Sequence, residues 1–242
     1  MRPSVARDLR RLLTPIKACR TTDVMTALPK LEGPVARPTG APQSLVILLH
    51  GYGSNGADLI GLVPYWRDAL PNTLFVAPNA PQPCPGAPGG RQWWALDSLS
   101  PKARAAGVRV SAPALNAFID QQLAIYGLAA DRLALVGFSQ GTMMALHVGP
   151  RREDTIAGIV GYSGMLADPA ALDAEVRTKP PILLIHGDAD QILPVASLHQ
   201  AKAELDRLGF EVQTHVSRGL SHSVDDVGLR LGRDFLSERL GA

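Results

Sequence analysis

"RLALVGFSQGTMMAL", residues 132–146, decides the fold. An apolar run of strand length enters Gly137-Phe138-Ser139-Gln140-Gly141 and leaves directly into a helix-like pattern. A serine on so tight a strand-to-helix turn takes strained backbone angles, and flanking glycines remove the Cβ atoms that would collide there. The turn lifts the serine hydroxyl above a sheet, at the positive end of the following helix. An ordinary serine N-cap accounts for Ser139 but not for two glycines at that spacing. Ser139 is therefore a candidate nucleophile.

Working outward, apolar runs of strand length recur at 44–50, 73–78, 132–138, 156–163, 181–187 and 210–216. Helix-like segments separate them, at roughly 57–69, 111–127, 139–148, 168–177, 196–208 and 223–239. Strands that are apolar on both faces and alternate with helices predict a doubly wound α/β fold: a mostly parallel sheet covered on both sides. The last strand alternates more, as an edge strand does. One large domain accommodates the 242 residues. Residues 1–40 read as an N-terminal extension and linker, ending in the Pro/Gly-rich "GPVARPTGAPQ" (33–43), and 41–242 as the domain. Residues 78–107, with Pro78, Pro81, Pro83, Pro85 and Pro88, read as a long functional loop at the carboxyl end of a strand.

Composition narrows the class further. A hydrophobic fraction of 46% is ample for a buried core, and a net charge of +2 gives no whole-protein pull toward nucleic acid or anionic lipid. Two cysteines, Cys19 and Cys84, exclude a disulfide scaffold or a cysteine zinc cluster and suit a reducing, cytoplasmic setting. The first segment carries Arg2, Arg7, Arg10, Arg11, Lys17 and Arg20 against Asp8, without the apolar core of a secretory signal. It reads as a disordered tail or as lead-in to a true start at Met25; a transit peptide or a weak membrane-surface helix is the alternative. No stretch approaches the ~20 apolar residues of a membrane span.

A serine hydroxyl needs a base, and the base an orienting carboxylate. In this fold class they follow in the order serine, acid, histidine. "PILLIHGDADQILPV" (181–195) supplies Asp188 and Asp190 in a loop after a strand, and "VSRGLSHSVDDVG" (216–228) supplies His222 in a loop after the last one. His147 and His199 fall within helices and His215 within a strand, whereas His50 and His186 end strands and read as loop organisers. His222 is the candidate base. Spacing alone does not choose between Asp188 and Asp190. For the oxyanion formed on a substrate carbonyl, the backbone N–H of Gln140 is one expected donor, and the Gly-rich "LLHGYGSNG" (48–56) offers the other.

Together, "HGYGSNGADL", "GFSQGTMMAL", "YSG", "HGDADQILPV" and "LSHSV" resemble the phospholipase/carboxylesterase family of α/β-hydrolases, which includes the acyl-protein thioesterases. The resemblance runs from about residue 42 to the C-terminus with every block in order. It implies an α/β-hydrolase fold, Asp190 as the triad acid, Asp188 as a supporting residue, and Tyr52 and Gln140 as oxyanion donors. "WWALD" (93–97) falls where the family has a Trp-Phe-Asp-like pocket segment, so Trp93 and Trp94 are expected to bind substrate. The segment departs from that pattern, as does Gly-Ser-Asn in the oxyanion loop where some relatives carry an aspartate.

The expected activity is hydrolysis of short- to medium-chain acyl esters through an acyl-enzyme, with acyl-protein thioesterase or lysophospholipase activity as the alternative. Such chemistry requires no metal or organic cofactor. The expected partner is a small acyl ester or thioester, with no nucleic acid and no stable membrane insertion; a homodimer is left open. A dienelactone-hydrolase-like reading is weaker, because those enzymes use a cysteine nucleophile. A catalytically silent binding protein would show a damaged triad or oxyanion loop, and neither is damaged here. Peptidases share the same parts, but the resemblance argues against one.

Overall fold

The computed structural model describes residues 28–98 and 100–241. The basic segment 1–24, with its tail, transit-peptide and membrane readings, lies outside the described residues. In chain order the elements are β1 (Val35–Ala36), β2 (Ser44–Leu49), α1 (Gly56–Ile60), β3 (Thr73–Val76), β4 (Gln82–Pro83), β5 (Arg91–Gln92), α2 (Pro101–Tyr126) and β6 (Leu133–Phe138). Then follow α3 (Gln140–Val148), β7 (Gly158–Tyr162), α4 (Pro169–Glu175), β8 (Ile182–Gly187), α5 (Ala196–Arg207), β9 (Val212–Ser217) and α6 (Asp226–Leu240).

Seven strands form one sheet in the order β1-β3-β2-β6-β7-β8-β9. Every pairing is parallel except β1 with β3. Alternation within β2 shows why its sequence is apolar throughout. Leu45, Ile47 and Leu49 enter the core shared with α2, α3 and α5, while Val46 and Leu48 enter the core on the α6 side. Each such side chain, fully buried, contributes about 1.5–3 kcal/mol. Trp66 and Tyr162 anchor α6 by donating to the carbonyls of Leu229 and Gly228, at 3.0 and 3.1 Å. Among the described residues no helix is long and apolar enough to cross a membrane.

Three sequence readings shift. The domain starts earlier than residue 41: Leu31 is buried, the N–H groups of Ala77 and Asn79 donate to Pro34 and Glu32, and β1 pairs with β3. The helix expected over 57–69 is only α1, which ends at Gly61, and a 3₁₀ turn at Val63–Tyr65 that contains Pro64. The long loop ends sooner, because α2 starts at Pro101, with the Ser100 hydroxyl accepting from Ala103 N–H at 3.3 Å. Gly107, read as the end of that loop, and Pro113 are both inside α2. Gly107 is required there: a Cβ would lie 2.2 Å from Trp94 Cδ1, so the indole packs directly on the helix backbone.

His147, near the end of α3, is buried against Arg151, Arg109, Asp168 and Glu175. Burial first, then the two arginines, push its pKa from 6.5 down to about 4. The unfolded chain therefore binds a proton that the fold refuses. Stability is full above the unfolded value and is lost as pH falls from about 6.5 toward 4, by an amount on the order of 2–3 kcal/mol. In thermal melts across that window, His147→Gln should lose visibly less stability than the wild type; parallel curves would refute the assignment.

Candidate active site

β6 delivers Ser139 at φ 54° and ψ −115°, one of two non-glycine residues at positive φ among those described. Such a backbone costs about 1–3 kcal/mol and persists only when its surroundings hold it. Ser139 N–H donates to the Tyr162 carbonyl at 2.9 Å, and the Thr142 hydroxyl lies 2.8 Å from the carbonyls of both Gly137 and Tyr162. The flanking glycines have the steric role expected of them. A Cβ on Gly141 would lie 1.8 Å from the Leu49 carbonyl oxygen, and one on Gly137 would lie 2.4 Å from Thr142 N. The Ser139 side chain makes no capping bond to its own helix.

His222 shares a cavity of about 380 Å³ with Ser139, and its ring packs on Phe138 at 4.9 Å between centroids. Its Nδ1 is 2.7 Å from Asp190 Oδ2. Behind it, His186 Nε2 lies 2.8 Å from the Leu193 carbonyl and 3.1 Å from Asp190 Oδ2. A carbonyl only accepts, so His186 Nε2 carries a proton and faces the carboxylate too. Asp190 Oδ1 accepts from Ile192 and Leu193 N–H, at 2.8 and 2.9 Å. Burial opposes charge on Asp190, yet the hydrogen bonds from His222, Leu193 and Ile192 outweigh it and hold the carboxyl below its usual range. Asp188 stands apart, exposed, with Oδ1 accepting from Gly219 N–H at 2.6 Å. It ties the acid loop to the histidine loop.

The Gly-rich loop after β2 reaches the nucleophile closely. A Cβ on Gly51 would be 3.2 Å from Ser139 Cβ. Tyr52 follows on the cavity wall, and Gln140 begins α3. Among the described residues, neither Tyr52 N–H nor Gln140 N–H is engaged in a loop or capping hydrogen bond.

Trp93 and Trp94 are not where the sequence reading puts them. They are 0% and 4% exposed and belong to the core between sheet and α2. The apolar cavity wall comes instead from Leu59, Leu62, Phe138 and Val224. Sequence reasoning missed Ser163, also at positive φ, whose hydroxyl donates to the Ser223 carbonyl at 3.3 Å beside His222. Its signal is the "YSG" block (162–164), given no role above, in which a Cβ on Gly164 would meet Thr142 Cβ at 2.3 Å.

A strand-turn-helix serine, an imidazole held by a buried carboxylate and a glycine loop beside them define the α/β-hydrolase class. The phospholipase/carboxylesterase family model matches residues 32–240. The chain is 32% identical to acyl-protein thioesterase 1 of Schizosaccharomyces pombe over 90% of its own length and 100% of that protein's. It is 27% identical to esterase YpfH of Escherichia coli, over 84% and 85% of the two chains. The crystal structure of esterase PE8 aligns with a TM-score of 0.84 at 45% identity, covering 87% of this chain and all of that one. The chain belongs to the phospholipase/carboxylesterase family. It is a serine hydrolase acting on carboxylic esters.

Thr142→Val keeps the shape of that side chain but removes the hydroxyl that holds the turn. The loss should lower unfolding free energy by about 1–3 kcal/mol in urea titration. An unchanged midpoint would show that the turn is held without it.

Proposed function

We propose that the chain hydrolyses short- to medium-chain acyl esters through an acyl-enzyme on Ser139. The observation that carries this reading is the 2.7 Å contact of His222 with buried Asp190, beside the cavity that holds Ser139. His222, with Nδ1–H directed at Asp190, presents Nε2 as the base. It takes the Ser139 proton as Oγ attacks the acyl carbonyl. The N–H groups of Tyr52 and Gln140 stabilise the oxyanion, and the proton passes from His222 to the leaving alcohol. Water, deprotonated by His222, then releases the acid and restores Ser139. Asp190 remains charged throughout and favours the imidazolium.

The space available supports the proposed chain length. A cavity of about 380 Å³ with apolar walls is at the small end of ligand sites and suits a short or medium acyl group. A thioester substrate is the second reading, favoured by the 32% identity to a protein named acyl-protein thioesterase 1. Both use the same residues and differ in the leaving group. The cytoplasm is the proposed location, and a homodimer is compatible with the reading.

Hydrolysis of p-nitrophenyl esters of graded acyl length, beside the matching thioesters, tests the reading. Turnover should peak at short to medium chains and vanish in Ser139→Ala. A folded wild type inactive on every ester and thioester would overturn it. Asp190→Asn should lower kcat by about 10³- to 10⁴-fold, whereas Asp188→Asn should leave kcat within a few-fold and act on stability. The reverse pattern would reassign the acid.

A further inference from the structure

The two proposed oxyanion donors come from distant parts of the chain, and one buried residue, through its side chain and its backbone, bridges them. The indole N–H of Trp93 donates to the His50 carbonyl at 3.0 Å. Its backbone N–H donates to Gln140 Oε1 at 2.9 Å, and Gln140 Nε2 donates to the Trp94 carbonyl at 2.9 Å. The Trp93 carbonyl accepts from the Ser111 hydroxyl, which fixes it to α2. His50, Trp93, Ser111 and Gln140 are all at least 97% buried, so no water competes for these bonds.

His50 carries the link one step further. Ala80 N–H donates to its Nε2 at 2.9 Å, and an N–H cannot accept, so the proton is on Nδ1. Nδ1–H then donates to the Gly51 carbonyl at 2.7 Å. That carbonyl belongs to the same planar peptide group as Tyr52 N–H, and in a trans peptide the two point in opposite directions. Holding the carbonyl therefore aims the N–H. Burial lowers the His50 pKa, against the opposing effect of the Gly51 bond, and the ring stays neutral.

We infer that Trp93 is a positioning residue that sets the separation and direction of the two oxyanion donors, Tyr52 N–H through His50 and Gln140 N–H through the Gln140 carboxamide. The inference rests on the reading in which those N–H groups hold the oxyanion. It assigns to Trp93 a place behind the site instead of on the substrate wall.

Trp93→Phe removes the indole N–H while keeping an aromatic ring in the core. With active sites counted by a fluorophosphonate, kcat on p-nitrophenyl butyrate should fall about 10-fold, a fraction of the 10²–10³-fold cost of deleting a donor outright. KM should change less than about 2-fold, since the ground-state carbonyl is held less by these donors. Affinity for a trifluoromethyl ketone, which builds the oxyanion on Ser139, should fall in parallel with kcat/KM. A merely structural tryptophan would lower the melting temperature and leave kcat per site and ketone affinity untouched.

His50→Asn, whose amide nitrogen replaces Nδ1–H, should retain several-fold more kcat than His50→Phe. The Trp93→Phe/His50→Phe pair should lose less than the product of the single losses, because both act through one connection. If Trp93→Phe does not fold, the two His50 variants decide: equal kcat in both overturns the inference. Unchanged kcat and ketone affinity in folded Trp93→Phe, with Ser139→Ala inactive, overturns the clamp and leaves the esterase reading standing. Turnover surviving in Ser139→Ala overturns both.

Discussion

Gly141 approaches the Leu49 carbonyl so closely that a single added carbon would lie 1.8 Å from its oxygen. The rest of the site depends on that contact. It brings the start of α3 against the end of β2, and so sets the strained Ser139 beside the Gly51–Tyr52 peptide. Parallel pairing of β2 with β6, from Leu45 with Leu133 to Leu49 with Gly137, makes the approach possible. Both strands then end at the same level, and the loops that leave them meet. The strain at Ser139 is held by the pairing of its N–H with Tyr162, by Thr142 and by the two absent Cβ atoms.

Much of this was legible in the residues, and the reason is particular to each. The strands were plain because a two-faced sheet demands uninterrupted apolar runs such as "SLVILL" in β2. Ser139 was plain because the turn's steric demand is written in the glycines around it. Other parts were hidden because their signals are ambiguous in one dimension. Gly107 reads as the end of the long loop, and its purpose shows only when Trp94 is seen lying across it. Ser100-Pro101 is an N-cap and first-turn pair that could have placed the start of α2, but the proline-rich run before it drew the boundary too late. Spacing leaves Asp188 and Asp190 open; the family resemblance implies Asp190, and the folded loop turns that carboxylate toward His222.

The tryptophans illustrate the harder case. A pair of large aromatic side chains near a candidate site suggests a substrate wall, since aromatic groups line pockets and cores alike. What separates the two outcomes is the direction of the chain across α2, which no local pattern encodes. The buried position also serves a polar purpose: Trp93 satisfies the His50 carbonyl and the Gln140 carboxamide, groups that would otherwise be costly inside the core.

The same logic explains why Asp190 is set so deep. Its side chain is fully buried, and among the described residues no lysine or arginine is bonded to it; its hydrogen-bond partners are His222 and two backbone N–H groups, with His186 Nε2–H facing it at 3.1 Å. An isolated buried carboxylate would be costly and would take up a proton. Three donors keep it charged without supplying a permanent positive charge. That distinction matters for the chemistry. A fixed cation beside Asp190 would neutralise the field that favours an imidazolium at His222. In the proposed mechanism, donors of this kind leave that field available for the moment when the Ser139 proton is transferred. The carboxylate is thus stabilised by groups that do not compete with the base proposed for it, His222.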